Sequence, residues 1–183
     1  MKKLALYVVL VVTVTSLAAA QSDRQKLGGT PGAERITKEV RHELLLLPYY
    51  SVFDWLAYKV DGNTVTLLGQ VVRPTLKSDA ENVVKRIEGV DKVVNNIEVL
   101  PVSPNDDRIR RAEFRSIYSY PPFEKYDYGP VPPIHILVAN GHVTLKGVVD
   151  NDSDKNAAEI RAKSVPGVFS VTNELQVENE KSK

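Results

Sequence analysis

The sequence predicts an α+β protein of two tandem αββαβ domains, each a small three-stranded mixed sheet with two helices packed on one face. Three observations carry this expectation. Sliding the chain along itself by 78 positions aligns residues 60–99 with 138–177 without a gap, and 15 of the 40 pairs are identical. Each copy contains two alternating apolar runs joined by an Asn/Gly turn, the mark of a hairpin with one buried face. Apolar residues at helical spacing precede and follow each hairpin. Two copies at so long a period indicate a duplicated domain rather than a solenoid.

The elements follow in order. Lys2 and Lys3 lead into an apolar run from Leu4 to Leu17 that ends at Ala18-Ala19-Ala20. A basic start, an apolar stretch and a small-residue exit predict a secretory signal over 1–20, cleaved after Ala20, in preference to a retained anchor. No Cys follows it, so a lipoprotein anchor has no attachment site. The polar, Gly-containing stretch 21–33 reads as a flexible tether. In the first domain, 34–100, a helix over Glu34–Leu46 carries Ile36, Val40, Leu44 and Leu47. Leu56, Tyr58 and Val60 alternate into the Asp61-Gly62-Asn63 turn, and Val65, Leu67, Gly69 and Val71 alternate out of it. A second helix over Leu76–Ile87 buries Ala80, Val83 and Val84, and a last strand shows Val93, Ile97 and Val99 on one face.

Residues 101–105 (Pro-Val-Ser-Pro-Asn) form a linker to the second domain, 106–178, with a short tail at 179–183. There Asp107-Arg108-Ile109 matches Glu34-Arg35-Ile36 at a shift of 73, so this copy has five extra residues between its first helix and first strand. Ile134, Ile136 and Val138 lead through Asn140-Gly141 to Val143, Leu145, Gly147 and Val149. A helix over Asp154–Ser164, capped by Ser153 or Asp152, ends at Pro166-Gly167, and Val171, Leu175 and Val177 line the last strand. Gly69 and Gly147 sit mid-strand, where Gly weakens a strand, and are expected to let a helix approach the sheet closely. Gly89 and Gly167 recur at the helix-to-strand connections.

Composition excludes several functions. The chain has 24 Lys+Arg against 23 Asp+Glu. Loss of residues 1–20 would leave 22 against 23, too balanced for general attraction to nucleic acid. With no Cys there is no disulfide-linked partner, thiol chemistry or Cys-ligated metal. His42, His135 and His142 form no metal set; the last two flank the second hairpin and are expected at the surface. Asp150-Asn151-Asp152-Ser153-Asp154 fails as a calcium loop, because Lys155 and Arg161 stand where Gly and Glu are needed. No catalytic constellation or phosphate-cradling glycine loop occurs. The expectation is a protein without catalytic residues, metal or cofactor.

The doubled motif Val65-Thr66-Leu67-Leu68-Gly69-Gln70-Val71 and Val143-Thr144-Leu145-Lys146-Gly147-Val148-Val149 is similar to that of the BON family. Gly89-Val90, Val93, Asn95 and Ile97, with Gly167-Val168, Val171, Asn173 and Leu175, complete the resemblance in each copy. It implies an exported, periplasmic or envelope protein without enzymatic activity. Such proteins are proposed to bind phospholipid surfaces or to support the envelope under osmotic or other stress. Some relatives are lipid-anchored, and some have been linked to potassium.

Two features nominate contact residues. Eleven of the 13 aromatics fall in two windows that run from the first helix to the first strand of a repeat, among them Tyr49, Tyr50, Phe53 and Trp55, then Tyr120, Phe123 and Tyr126. Amphipathic rings there suit a membrane interface or a partner surface; the alternative is that they close the small cores or pack the domains together. Arg108, Arg111 and Arg115 share one helical stripe that suits anionic headgroups, unless it is a solvated face balanced by Asp106, Asp107 and Glu113. Lys155, with Arg161 and Lys163, is a weaker second candidate. The expected partner is an anionic phospholipid surface or another envelope protein. A protein adaptor or holdase, and a potassium or other small-ion binder, are the alternatives.

Overall fold

Apolar alternation and helical stripes lead to the same five-element unit twice. The computed structural model describes residues 31–129 and 131–178. The first repeat runs α1 (Pro31–Leu45), β1 (Trp55–Asp61), β2 (Thr64–Val71), α2 (Pro74–Val84) and β3 (Lys92–Val99). The second runs α3 (Pro104–Tyr118), a 3-10 helix (Pro121–Tyr126), β4 (Ile134–Ala139), β5 (His142–Val149), α4 (Asp152–Lys163) and β6 (Ser170–Val177). The expected signal, most of the tether and the tail lie outside the described residues. Residues 31–33, expected in the tether, form the first turn of α1.

Each sheet has its strands in sequence order, with an antiparallel hairpin and then a parallel pair across the second helix. Asn140 (φ 52°) and Gly141 (φ 80°) both take positive φ, as a two-residue I′ hairpin turn requires. Side chains from one face of each sheet meet the helices in two separate cores. Identical residues in the two copies explain how the second helix is held. Asn95 donates to the Lys77 carbonyl (3.0 Å) and to Glu81, while its own oxygen accepts from the Ile97 amide. Asn173 repeats this with Lys155 (2.8 Å), Glu159 and Leu175.

The mid-strand glycines work differently from expectation. A Cβ on Gly69 would lie 1.9 Å from the Trp55 carbonyl oxygen, and one on Gly147 would lie 1.8 Å from that of Pro133. The close neighbour is therefore the adjoining hairpin backbone and not a helix. Their φ values, 125° and 127°, are also closed to ordinary L-residues. Gly89 and Gly167 have positive φ too, and face Arg35 and Arg108 respectively. The cap of α4 is Asn151, which accepts from the Asp154 amide at 2.8 Å, rather than Ser153 or Asp152.

Two acids expected on a solvated face are buried instead. Asp106 accepts from the Asn140 and Gly141 amides, both at 2.8 Å, and so ties α3 to the hairpin turn. Glu113 lies between Ile109 and Ile117 on the core side of α3, fully buried, and neither carboxyl oxygen has a partner. In α1 the same position at the 73-residue shift is Val40.

Candidate binding cleft between the repeats

The connector after α1 is where the two repeats meet. Pro48 stops the helix, and the Tyr50 amide donates back to the Leu47 carbonyl at 3.2 Å. Tyr49 occupies the third position of this turn with φ 68°. A turn with Pro second and positive φ third is the type II pattern, where Gly or Asn is the comfortable third residue. A tyrosine held there carries backbone strain of about 1–3 kcal/mol. Next along the chain, buried Asp54 accepts from the Ser51 amide and hydroxyl and from the Val72 amide (2.8 Å), which fixes the connector against the end of β2.

The fixed connector then grips the second repeat. The Ile136 amide donates to the Val52 carbonyl at 2.7 Å. Phe53 packs edge-on to Phe114 and joins the second core. His135, expected at the surface, is buried: its Nδ1 contacts the Asp54 carbonyl oxygen at 2.5 Å, and its ring meets Trp55 edge-on at 5.0 Å. Burial lowers the pKa of His135, opposed by the hydrogen bond to the Asp54 carbonyl. The neutral ring is thus the form the interface holds.

A cleft of about 400 Å³ opens between the connector and α3. Tyr49, Tyr50 and Phe53 form its aromatic wall, and Arg73, Arg110 and Arg111 its basic side. Asp107 and Asp54 also line it. Asp107 pairs with buried Arg110 at 2.6 Å, while Arg110 also donates to the Val138 carbonyl at 2.6 Å. Arg73 rests over the Tyr49 ring, 4.6 Å from its centroid. Burial raises the Tyr50 hydroxyl pKa to about 12, so this wall carries no charge near neutral pH. A neighbouring cleft of about 270 Å³ is lined by Arg41, Leu45, Tyr50, Trp55 and His135 among others.

The nominated residues therefore separate. Tyr49, Tyr50, Phe53 and Trp55 come together at the two clefts, and Arg111 stands at the edge of the larger one. Arg108, Arg111 and Arg115 are all exposed on α3. Arg108 donates to Asn105 and leans over Gly167, as Arg35 leans over Gly89 in the first repeat, so part of its role is structural. Phe123 and Tyr126 leave the contact set. They are 0% and 3% exposed and close the second core, because the 3-10 helix folds their rings inward. Tyr120 packs partly on that core beneath Arg161.

Lys155 is half-buried on α4 and does not line the cleft. Arg161 is committed to the Ser116 carbonyl, and Lys163 pairs with Glu159. Two of the three acids of the 150–154 run are engaged as well: Asp150 and Asp154 both pair with Lys125, and the Tyr126 hydroxyl donates to Asp154. Among the described residues no group of three or more His, Asp or Glu is placed to hold a metal. Sequence reasoning missed Arg73, Arg110, Asp54 and the burial of His135. Their counterparts in the other copy are unrelated, so the repeat gave no signal for them.

Comparison with known proteins agrees with this architecture. The osmotically-inducible protein Y of Escherichia coli (strain K12) is 27% identical over 161 residues, covering 85% of this chain and 77% of that protein. Two structures of CdsD, a structural protein of the type III secretion system of Chlamydia trachomatis, also match. One, of its C-terminal domain, is 11% identical, covering 76% of this chain and 96% of that one; the other is 12% identical, covering 80% and 95%. Both have a TM-score of 0.30, too low to carry fold or function. The BON domain profile matches residues 32–101 and 123–179, most of the chain, and the chain belongs to the BON domain family.

Proposed function

We propose that this chain is a non-enzymatic, exported envelope protein that docks peripherally on anionic phospholipid surfaces. The observation that carries the proposal is an apolar edge set beside unburied arginines. Leu45 (49% exposed), Leu46 (64%) and Tyr49 (71%) project where α1 ends; Tyr49 lines the larger cleft with Arg73 and Arg111, and Leu45 lines the smaller one with Arg41. Apolar side chains that enter the headgroup layer, flanked by basic groups that attract it, are the elements of interfacial binding. Each basic residue near such a surface contributes about 1 kcal/mol. The likeness to an osmotically-inducible protein supports a role under osmotic stress, and an exported setting accords with the signal-like first twenty residues.

Co-sedimentation with vesicles tests this. Binding is expected to vesicles containing phosphatidylglycerol and not to phosphatidylcholine alone. Leu46→Ser and Arg111→Gln should each weaken it, the latter about fivefold from the loss of one basic contribution. Binding that ignores anionic lipid, or is unchanged in both variants, overturns the membrane reading and leaves a protein partner for the same edge.

A further inference from the structure

We infer that the larger cleft is a binding site for a soluble phosphate monoester, held between Arg73 of the first repeat and Arg111 of the second, with its organic part against Tyr50 and Phe53. The inference does not rest on membrane docking.

Charge accounting points to an anion. Of the charged groups lining the cleft, Asp107 and Arg110 form an ion pair, and buried Asp54 is held by the Ser51 amide and hydroxyl and by the Val72 amide. Among the described residues, Arg73 and Arg111 form no ion pair, and the lining of three arginines and two aspartates keeps a net positive charge. A phosphate monoester carries close to two negative charges at neutral pH, and its oxygens match the guanidinium fork. About 400 Å³ is within the range of small-ligand pockets, and the aromatic wall of Tyr49, Tyr50 and Phe53 offers an apolar surface beside the charged side.

The second observation is the strained turn. The backbone at position 49 suits Gly or Asn, yet the residue there is a tyrosine that is 71% exposed. Packing therefore does not account for it. What the ring does is support the Arg73 guanidinium at 4.6 Å and so hold that group at the cleft. Strain retained at a cleft wall is a mark of a functional position. Neither repeat has this site alone, because the two arginines come from different copies.

Isothermal titration of the full chain with phenyl phosphate, glycerol 3-phosphate and inorganic phosphate tests the inference. Phenyl phosphate should bind, and bind more tightly than the other two, because only it reaches the aromatic wall. Arg73→Gln and Arg111→Gln should each weaken it about tenfold or more, the scale of a lost charge-assisted hydrogen bond. Tyr49→Asn should raise the unfolding midpoint while weakening the ester, opposite signs that a purely structural Tyr49 would not produce. Absence of binding by all three probes at millimolar concentration overturns the inference, as does binding indifferent to both arginine variants. Binding of phosphatidate vesicles with none of the soluble esters assigns the phosphate to a lipid headgroup and also overturns it.

Discussion

Glu113 should make the second repeat lose stability as pH rises from weakly acidic to about 8. Its carboxyl is 0% exposed, has no hydrogen-bond partner on either oxygen, and is pushed by burial from 4.5 to about 8. The folded protein therefore keeps a proton that the unfolded chain has released anywhere between those two values. Stability from this group is intact below pH 4.5, falls as pH rises through the window, and is flat above about 8. At about 1.4 kcal/mol per pH unit, the loss amounts to at most about 5 kcal/mol, comparable with the whole stability of a marginal domain. Glu113→Gln removes the titration but leaves a polar group in the core. Glu113→Val reproduces the Val40 position of the first repeat and also removes the unpartnered polar atoms, for a further gain of about 1–3 kcal/mol. Urea unfolding followed by circular dichroism at pH 5, 7 and 9 measures this. Wild type should lose stability across the series by several kcal/mol relative to both variants, on the scale just given. Parallel pH profiles for wild type and Glu113→Gln would refute the reasoning.

Two further predictions rest on packing already described. Gly69→Ala and Gly147→Ala should each cost about 2 kcal/mol or more, since the added Cβ meets a strand carbonyl and φ is unsuitable; unchanged denaturation midpoints would contradict this. His135 has a lowered pKa, so the unfolded chain binds more protons than the folded one below 6.5, and stability is lost as pH falls beneath that value. The charged groups about it are Asp54 on the connector, Arg41 across the smaller cleft and Lys146 opposite it on β5. Fluorescence of Trp55, the single tryptophan and an edge contact of His135, should change with a midpoint below 6.5. His135→Ala, which restores the residue found at Ala57, should abolish that transition; its survival would place the titration elsewhere.

The duplication made the fold legible, because buried positions repeat and two copies reinforce each pattern. Asn95 and Asn173, Gly69 and Gly147, and the paired apolar stripes all stand out for that reason. Contacts between the copies have no such echo. Arg110 corresponds to Thr37, Glu113 to Val40 and His135 to Ala57, so each looked like an ordinary polar residue. The connector aromatics were visible as a group, but their sorting was not. Whether Phe123 turns inward while Tyr49 stays exposed depends on how the 3-10 helix and the type II turn point each ring, which spacing alone does not encode. Gly69 misled in a similar way: the need for glycine was readable, but the backbone it accommodates is its own hairpin partner.

The hydrogen bond from the Ile136 amide to the Val52 carbonyl also bears on self-association. β4 is the outermost strand of its sheet, and an outer strand with free amides is a template on which other molecules can polymerise. Val52 occupies one of those amides, and its neighbours Phe53 and Asp54 are anchored to the second repeat through Phe114 and His135. The guard belongs to the first repeat, which is synthesised ahead of the strand it covers. Chain order thus provides the protective segment before the vulnerable edge exists, and a second repeat released on its own would carry that edge uncovered.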